Sequence, residues 1–480
     1  MKINFAQQTD ESIRQLTVSV LFLDSDDNLI CHDEKLLDRE KKLLQEEGKG
    51  TSVYKTAQAE PQFWYVAGRK NDETAIRKAV AFFYKTAKKY FYENAVLDFS
   101  QSDSGIKDCR IAEIVCDAIF TLDYKYVLFK QDKSVQLKNA VIKLNDFSDK
   151  DAESIIDKNS VIAKGINLVR DMVNAPANIM TIDTFEETAV NVCAECGLTV
   201  TVLDKKILTE KGMNLLLAVG QAGIQPPKML KIVYQGNPGG KMSFVVGKGI
   251  VFDSGGMNLK PGNSLNDMKM DMAGAATALG IVTTAANLKL NCNITALLPL
   301  AENAIGSKSM HTGDVIVGYK KKSVEINNTD AEGRLILADA LAYADEQKPE
   351  LIIDIATLTG AALIALGSKI TAGFFTDETV KNKMLAAAKE TGEGLWELPL
   401  ADDYREYLKS KIADISNIST PPREAGTITA ALFLQSFVEN AEWVHLDIAG
   451  PAFIDSDWNE YPAGATGAML KTVIRYFETR

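Results

Sequence analysis

Asp330 and Glu332 stand two residues apart in Asn327-Asn328-Thr329-Asp330-Ala331-Glu332-Gly333-Arg334-Leu335, with Arg334 two residues further on. Carboxylates at that spacing can turn toward one cation. The residues from Lys322 to Asn327 read as a strand, and Leu335, Leu337, Ala338, Leu341 and Ala342 recur at helical spacing directly afterwards. The pair therefore falls on a strand-to-helix turn, where α/β proteins commonly build their sites. Taken alone, the motif is more often ordinary: Asp330 caps the helix, Glu332 lies in its first turn and Arg334 points to solvent. A second charged constellation shifts that balance. Lys248, Asp253, Lys260 and Asp271 occur among apolar residues and glycines, in Gly247 to Pro261 and Met268 to Gly274. Glycine on both sides of Lys248 suits a close backbone approach. Charges in apolar surroundings need partners or a metal. Asp253, Asp271, Asp330 and Glu332 together are enough for two divalent ions sharing a bridging group, a device that holds both a water nucleophile and the carbonyl it attacks. A lysine beside such ions is pushed toward its neutral, lone-pair form. Asp267 and Lys269, in a more polar run, are read as ordinary surface residues.

The elements that must position these groups follow from pattern. At 480 residues the chain exceeds what one core usually organises. We expect an α/β protein of two domains, a smaller one over 1–160 and a larger catalytic one over 161–480, the boundary falling at 155–165. In the first, strands are expected at Leu16–Leu23, Tyr126–Phe129 and Lys138–Leu144, with helices at Lys35–Glu47 and Asn71–Asn94. A polar, acidic passage from Asn145 to Lys158 then leads into a helix through Ile162, Ile166, Val169 and Met172. Beyond it, strand-like runs alternate with helices: Val200–Leu203, Lys231–Tyr234, Ser243–Val246, Asn293–Leu300, Leu351–Asp354 and Trp443–Asp447. Such alternation predicts a largely parallel sheet flanked by helices.

Composition narrows the function. A net charge of −11 argues against nucleic-acid or anionic-membrane binding. Six cysteines give no disulfide framework; Cys193 and Cys196 fall in a helix over Thr184–Cys196 and read as two buried thiols. No apolar run has the length of a membrane span, and the residues after Met1 lack the apolar core of a secretory signal, so a cytoplasmic protein is expected. With only His32, His311 and His445 present, a zinc site built on paired helical histidines is ruled out, and a metal site must rest on carboxylates. The same scarcity weighs against a dinuclear phosphoester hydrolase, which more often uses histidine ligands.

Lys248, Asp253, Lys260 and Asp271 in their two segments, followed by Asn328-Thr329-Asp330-Ala331-Glu332-Gly333-Arg334-Leu335, resemble the leucyl (cytosol) aminopeptidase family of dinuclear metallo-exopeptidases. The resemblance runs from about 165 to 480 and takes in Arg170 to Asn178, Asp354 to Gly360, Arg423 to Gly426 and His445 to Gly450. It implies one divalent ion (zinc or manganese) held by Asp253, Asp330 and Glu332, with the Asp330 carbonyl, and a second held by Lys248, Asp253, Asp271 and Glu332. It further implies a bridging hydroxide as nucleophile, Lys260 as electrophile toward the scissile carbonyl, and Arg334 holding a bicarbonate that shuttles the proton. Asp271 would help bind the free α-amino group of a peptide substrate. The departing side chain, Leu-like, would lie against Met268, Asn328, Ala331, Thr357, Gly360, Ala449 and Ala452; Ala452 stands where some relatives carry Met, which implies a roomier pocket. A homohexamer is implied as well. The run Glu302 to Thr312 departs from the family pattern and is assigned to the rim of the site.

Overall fold

A computed structural model of the chain describes every residue except 7–15, 33–37, 58–59, 130–136 and 421–423. Two compact units are present, Met1–Ala163 with Ser456–Pro462, and Lys164–Asp455 with Ala463–Arg480.

Among the described residues of the first unit, seven strands form one sheet: β1 (Lys2–Ala6), β2 (Leu16–Leu23), β3 (Leu29–Ile30), β4 (Ser52–Ala57), β5 (Glu60–Arg69), β6 (Asn94–Asp98) and β7 (Asn139–Lys143). Their order is β1-β7-β6-β2-β5-β4, with β3 paired to β2. Parallel pairing runs from β1 to β5, and β4 closes the edge as an antiparallel hairpin. The helix Glu73–Lys89 starts where the Asp72 side chain accepts from the Thr74 N–H. It buries Ile76, Val80 and Phe83 in a core shared with Ile111, Val115 and Ile119 of the helix Asp108–Leu122. The helix expected to reach Asn94 stops at Lys89, because the chain reverses at Phe91 in the left-handed region and Asn94 already pairs in β6. Asp38–Glu47 is helical; residues 35–37 of that expectation lie outside the described residues. Tyr126–Phe129 is not a strand. Val127, Leu128 and Phe129 are exposed and join no strand among the described residues, and an apolar run becomes a strand only where it finds an edge. The acidic passage is likewise corrected. A single helix, Asp149–Asn174, absorbs most of it, with Asp149 and Asp151 at the positive amino end of the helix.

The second unit continues with β8 (Val200–Leu203), β9 (Lys228–Gln235), β10 (Met242–Gly247), β11 (Gly249–Asp253), β12 (Asn293–Asn303), β13 (Val315–Val317), β14 (Ser323–Glu325), β15 (Leu351–Ala356), β16 (Ile370–Phe375), β17 (Gly394–Glu397), β18 (Ile415–Ser416) and β19 (Glu442–Asp447). The main sheet runs β17-β16-β19-β15-β10-β12-β9-β8, with β11 also paired to β12, while β13, β14 and β18 form a small second sheet. At its centre β19, β15, β10 and β12 are all parallel. Their near-continuous apolar sequences match burial on both faces. Phe244, Val246, Leu297 and Ile352 share a core with Leu335, Leu337 and Leu341 of the helix Gly333–Glu346. Val245, Ala296 and Ile353, pointing the other way, are equally buried, and the Ala- and Gly-rich helix Ala273–Asn287 packs on the same strands. Parallel β11, β12, β15 and β19 therefore end at one edge, at Asp253, Asn303, Ala356 and Asp447. Among the described residues no helix is long and apolar enough to cross a membrane.

Candidate metal centre

β10 and β11 are one strand interrupted at Lys248. Both pair with β12, and the register resumes past the break, where Lys248 N–H donates to the Ile355 carbonyl at 3.0 Å. Gly247 lets the Gly274 backbone approach beside this break, since a Cβ there would come within 2.3 Å of the Gly274 carbonyl. The interruption turns the Lys248 side chain inward, beneath Gly333, where a Cβ would meet its Cε at 2.3 Å. Glycine is thus needed at both positions for close approach rather than for unusual dihedrals.

Lys248 Nζ, buried, lies 2.7 Å from Asp271 Oδ2 and 2.9 Å from Glu332 Oε1, and donates to the Thr357 carbonyl at 3.0 Å. Lys260 Nζ lies 2.8 Å from Asp253 Oδ2 and 2.5 Å from Asp330 Oδ1. Oxygens of Asp253, Asp330 and Glu332 sit within 4.8 Å of one another, as a set able to hold a cation. Asp271 stands outside that trio and joins it through Lys248. The ordinary reading of the motif does not hold. Asp330 makes no helix cap, Glu332 occupies the cap position with no side-chain cap bond, and Arg334 is buried.

Four carboxylates here face two ammonium groups, an excess of two negative charges if all are ionised. Burial raises Asp253 and Asp271 above the usual carboxylate range, and burial together with the Asp253 charge lifts Asp330 to about 6. Burial also works against an ionised Glu332, but Lys248 and Lys260 outweigh it and hold that carboxyl low. For both lysines burial favours the neutral form, yet the surrounding carboxylates prevail and keep them protonated. Glu332 Oε2 is buried with no hydrogen-bond partner. Asp271 Oδ2 and Asp330 Oδ1 have only their ion-pair contacts to lysine, without hydrogen-bond alignment. Excess negative charge plus unaligned buried oxygens is the donor set of a hard or borderline divalent cation, so the residues present fit one.

Arg334 donates through Nη1 to the Asn417 carbonyl at 2.7 Å, and its buried Nε has no partner. Burial brings its pKa down to about 10 against the opposing charges of Glu332 and Asp447. Of the residues expected to line a side-chain pocket, Met268 begins the short helix Met268–Met270 and Gly360 the helix Gly360–Leu366, while Asn328, Ala331, Thr357, Ala449 and Ala452 lie outside helices and strands. Gly360 is exposed, Ala331 and Ala452 are buried, and Thr357 Oγ1 donates to Asp271 Oδ1 at 2.7 Å. Arg423 lies outside the described residues. His445 is no ligand of the trio: fully buried on β19, it meets Asp354 Oδ1 through Nδ1 at 2.6 Å.

Several supporting residues escape sequence reasoning. Asn303, within the run assigned to the rim, is buried and donates Nδ2 to Asp253 Oδ1 at 2.8 Å and to the Thr329 carbonyl at 3.1 Å. That run therefore reaches the centre, because it closes β12 at the same edge. Asn258 Oδ1 accepts from Thr329 N–H at 2.8 Å. Lys269, taken as a surface residue, is half-buried and donates to the Asn174 carbonyl at 2.7 Å. Cys193 is buried and Cys196 half-buried, both free thiols.

Comparison with known proteins agrees with this geometry. Residues 167–474 match the model of the cytosol aminopeptidase family, catalytic domain. A probable cytosol aminopeptidase of Syntrophotalea carbinolica is 38% identical over 411 residues, covering 84% of this chain and 82% of that protein. One from Chlamydia trachomatis serovar A is 44% identical over 367 residues, 75% of this chain and 73% of the relative. Among solved structures, the bottromycin maturation enzyme BotP in complex with Mn superposes with a TM-score of 0.86 at 30% identity, covering 97% of this chain and 99% of that one. The chain belongs to the cytosol aminopeptidase family and is a metal-dependent aminopeptidase.

Proposed function

We propose that the 161–480 region removes single amino-terminal residues, Leu-like ones by preference, from peptides, using two divalent ions. The observation that carries this is the trio Asp253, Asp330 and Glu332, with Lys248 and Lys260 interleaved and Glu332 Oε2 left unpartnered. Asp253, Asp330 and Glu332 would hold one ion. Lys248, Asp253, Asp271 and Glu332 would hold the other, Lys248 giving up the proton it keeps beside bare carboxylates. Such ions polarise a carbonyl and bring a bound water into the ionising range near neutral pH. The Mn reported with BotP supports manganese as well as zinc.

The chain's own residues do the rest. Asp271, buried and steadied by Thr357, would meet the substrate's α-amino group and so confine cleavage to the chain end. Lys260 is held protonated and would donate to the oxygen on which negative charge develops. Arg334, with a buried and unpartnered Nε, suits a small anion such as bicarbonate, which would supply a proton-carrying base. None of the three described histidines joins the trio, and His445 is held by Asp354. The 1–160 region would serve assembly, and by family likeness the protein is a cytoplasmic homohexamer. Turnover of Leu-p-nitroanilide tests the reading: it should vanish on metal stripping, return with Mn²⁺ or Zn²⁺, and fail for the amino-acetylated substrate. Equal cleavage of the blocked substrate would overturn it.

A further inference from the structure

We propose that Asn417 is a positioning residue that sets the Asp330–Arg334 segment from a strand some ninety residues away in sequence. Asn417 directly follows β18, which runs parallel to β14 in the register Val324↔Ile415 and Glu325↔Ser416. Its own N–H continues that ladder to the Glu325 carbonyl at 3.0 Å. The side chain is fully buried. Oδ1 accepts from the Asn327 and Asn328 N–H groups at 2.8 and 3.2 Å, and Nδ2 donates to the Asn328 carbonyl at 2.6 Å. The backbone carbonyl of the same residue accepts from Arg334 Nη1 at 2.7 Å.

One residue thus fixes both ends of the segment. The two residues leading into Thr329 and Asp330 hang on its side chain, and the guanidinium beyond Glu332 hangs on its carbonyl. The amide makes this set with two separate atoms, Oδ1 accepting from two N–H groups and Nδ2 donating to one carbonyl. Aspartate lacks the donor, and an apolar residue lacks both. Displacing the 327–328 backbone would move Asp330, Glu332 and Arg334 together, and outer partners of metal ligands typically alter metal affinity 10–100-fold.

The inference rests on the reading of Asp330 and Glu332 as metal ligands, and the test separates the two. Metal-stripped wild type, Asn417→Ala, Asn293→Ala and Glu332→Gln are titrated with Mn²⁺ by calorimetry, then assayed per folded molecule. Asn293 is the matched control. It is buried and makes three similar side-chain bonds, to Asn237 N–H at 3.0 Å and the Asn237 and Gly240 carbonyls at 2.8 and 2.9 Å, at the start of β12. Both alanine variants should unfold more easily. Only Asn417→Ala should bind Mn²⁺ roughly 10–100-fold more weakly and lose about tenfold or more in kcat with KM little changed. Unchanged affinity or kcat in Asn417→Ala, alongside lost affinity in Glu332→Gln, overturns the positioning role; undiminished affinity in Glu332→Gln overturns the ligand reading instead. If the alanine variant does not fold, Asn417→Asp replaces it, keeping both acceptor bonds and losing the donor. A folded aspartate variant with wild-type kcat and Mn²⁺ affinity would refute the inference equally.

Discussion

Replacing Lys248 by Met probes how the centre is balanced without metal. Lys248 is 3% exposed and answers two carboxylates, Asp271 at 2.7 Å and Glu332 at 2.9 Å, themselves 5% and 2% exposed. Methionine fills much the same volume but leaves Asp271 without its counter-charge and Glu332 with only the charge of Lys260. Removing one partner of a buried ion pair typically costs about 3–5 kcal/mol, most of it the desolvation of the charge left behind. The folded-to-unfolded ratio of the metal-free protein should therefore fall by between about two and three and a half orders of magnitude. Urea titration of chelator-treated wild type and Lys248→Met, followed by far-UV circular dichroism at pH 7.5, measures it. The gap should narrow toward pH 5, since protonating the orphaned carboxyls relieves the burden. Lys260→Met should cost less, because Lys260 is itself 15% exposed and only one of its two partners, Asp253, is buried, while Asp330 is 29% exposed and keeps water. A loss below about 1 kcal/mol for Lys248→Met would refute the reasoning, as that is the worth of an exposed pair.

Other consequences lie outside the ion-pair core. Asp339, buried on the helix Gly333–Glu346, is pushed up to about 7 by burial, against opposing bonds from backbone N–H groups including those of Tyr319 and Leu216. A carboxyl raised on folding binds its proton more tightly in the native state, so its contribution weakens as pH rises from about 4 to about 7 and is flat above. In Asp339→Asn that part of the pH slope, on the order of 4 kcal/mol, should disappear from urea midpoints; an unchanged slope would place the titration elsewhere. Thr357→Val removes the bond to Asp271 at 2.7 Å and should weaken metal binding about 10–100-fold in a competition assay with a chromophoric chelator. Undiminished affinity would show that Thr357 serves the substrate alone. Cys116 and Cys193 are both pushed up to about 12 by burial, whereas Cys109 is exposed. Native protein should thus react rapidly with Ellman's reagent at Cys109 and not at Cys193, and fast labelling of Cys193 would contradict the buried, unpaired assignment.

The parts legible in the sequence are those written in local signals. Strands such as Leu16–Leu23 and Val200–Leu203 announce themselves by composition and appear with those bounds. Charges set among glycines and small apolar residues mark Lys248 and Asp271 as buried, and both are. Tyr126–Phe129 misled because strand propensity says nothing about whether an edge is at hand. The acidic stretch within Asp149–Asn174 misled because a solvated helix face carries no apolar rhythm. Asn258, Asn303 and Asn417 were hidden for a different reason. A lone asparagine in a loop is a turn former in most contexts, and its value here comes from which strand ends the sheet order brings together. Asn303 arrives at the end of β12 in the main sheet and Asn417 through the β14–β18 pairing of the small one, and only that topology brings both to the 327–330 turn.

Metal stoichiometry set against activity addresses the two-ion account most directly. Stripped protein titrated with Mn²⁺, with bound metal measured by mass spectrometry after gel filtration, should take up two ions per chain. Leu-p-nitroanilide turnover should rise to its plateau with the second. Asp271→Asn, which on the two-ion account alters the surroundings of only one ion, should retain about one and stay inactive. Full activity at one ion per chain, or two tightly held ions in Asp271→Asn with normal turnover, would contradict it.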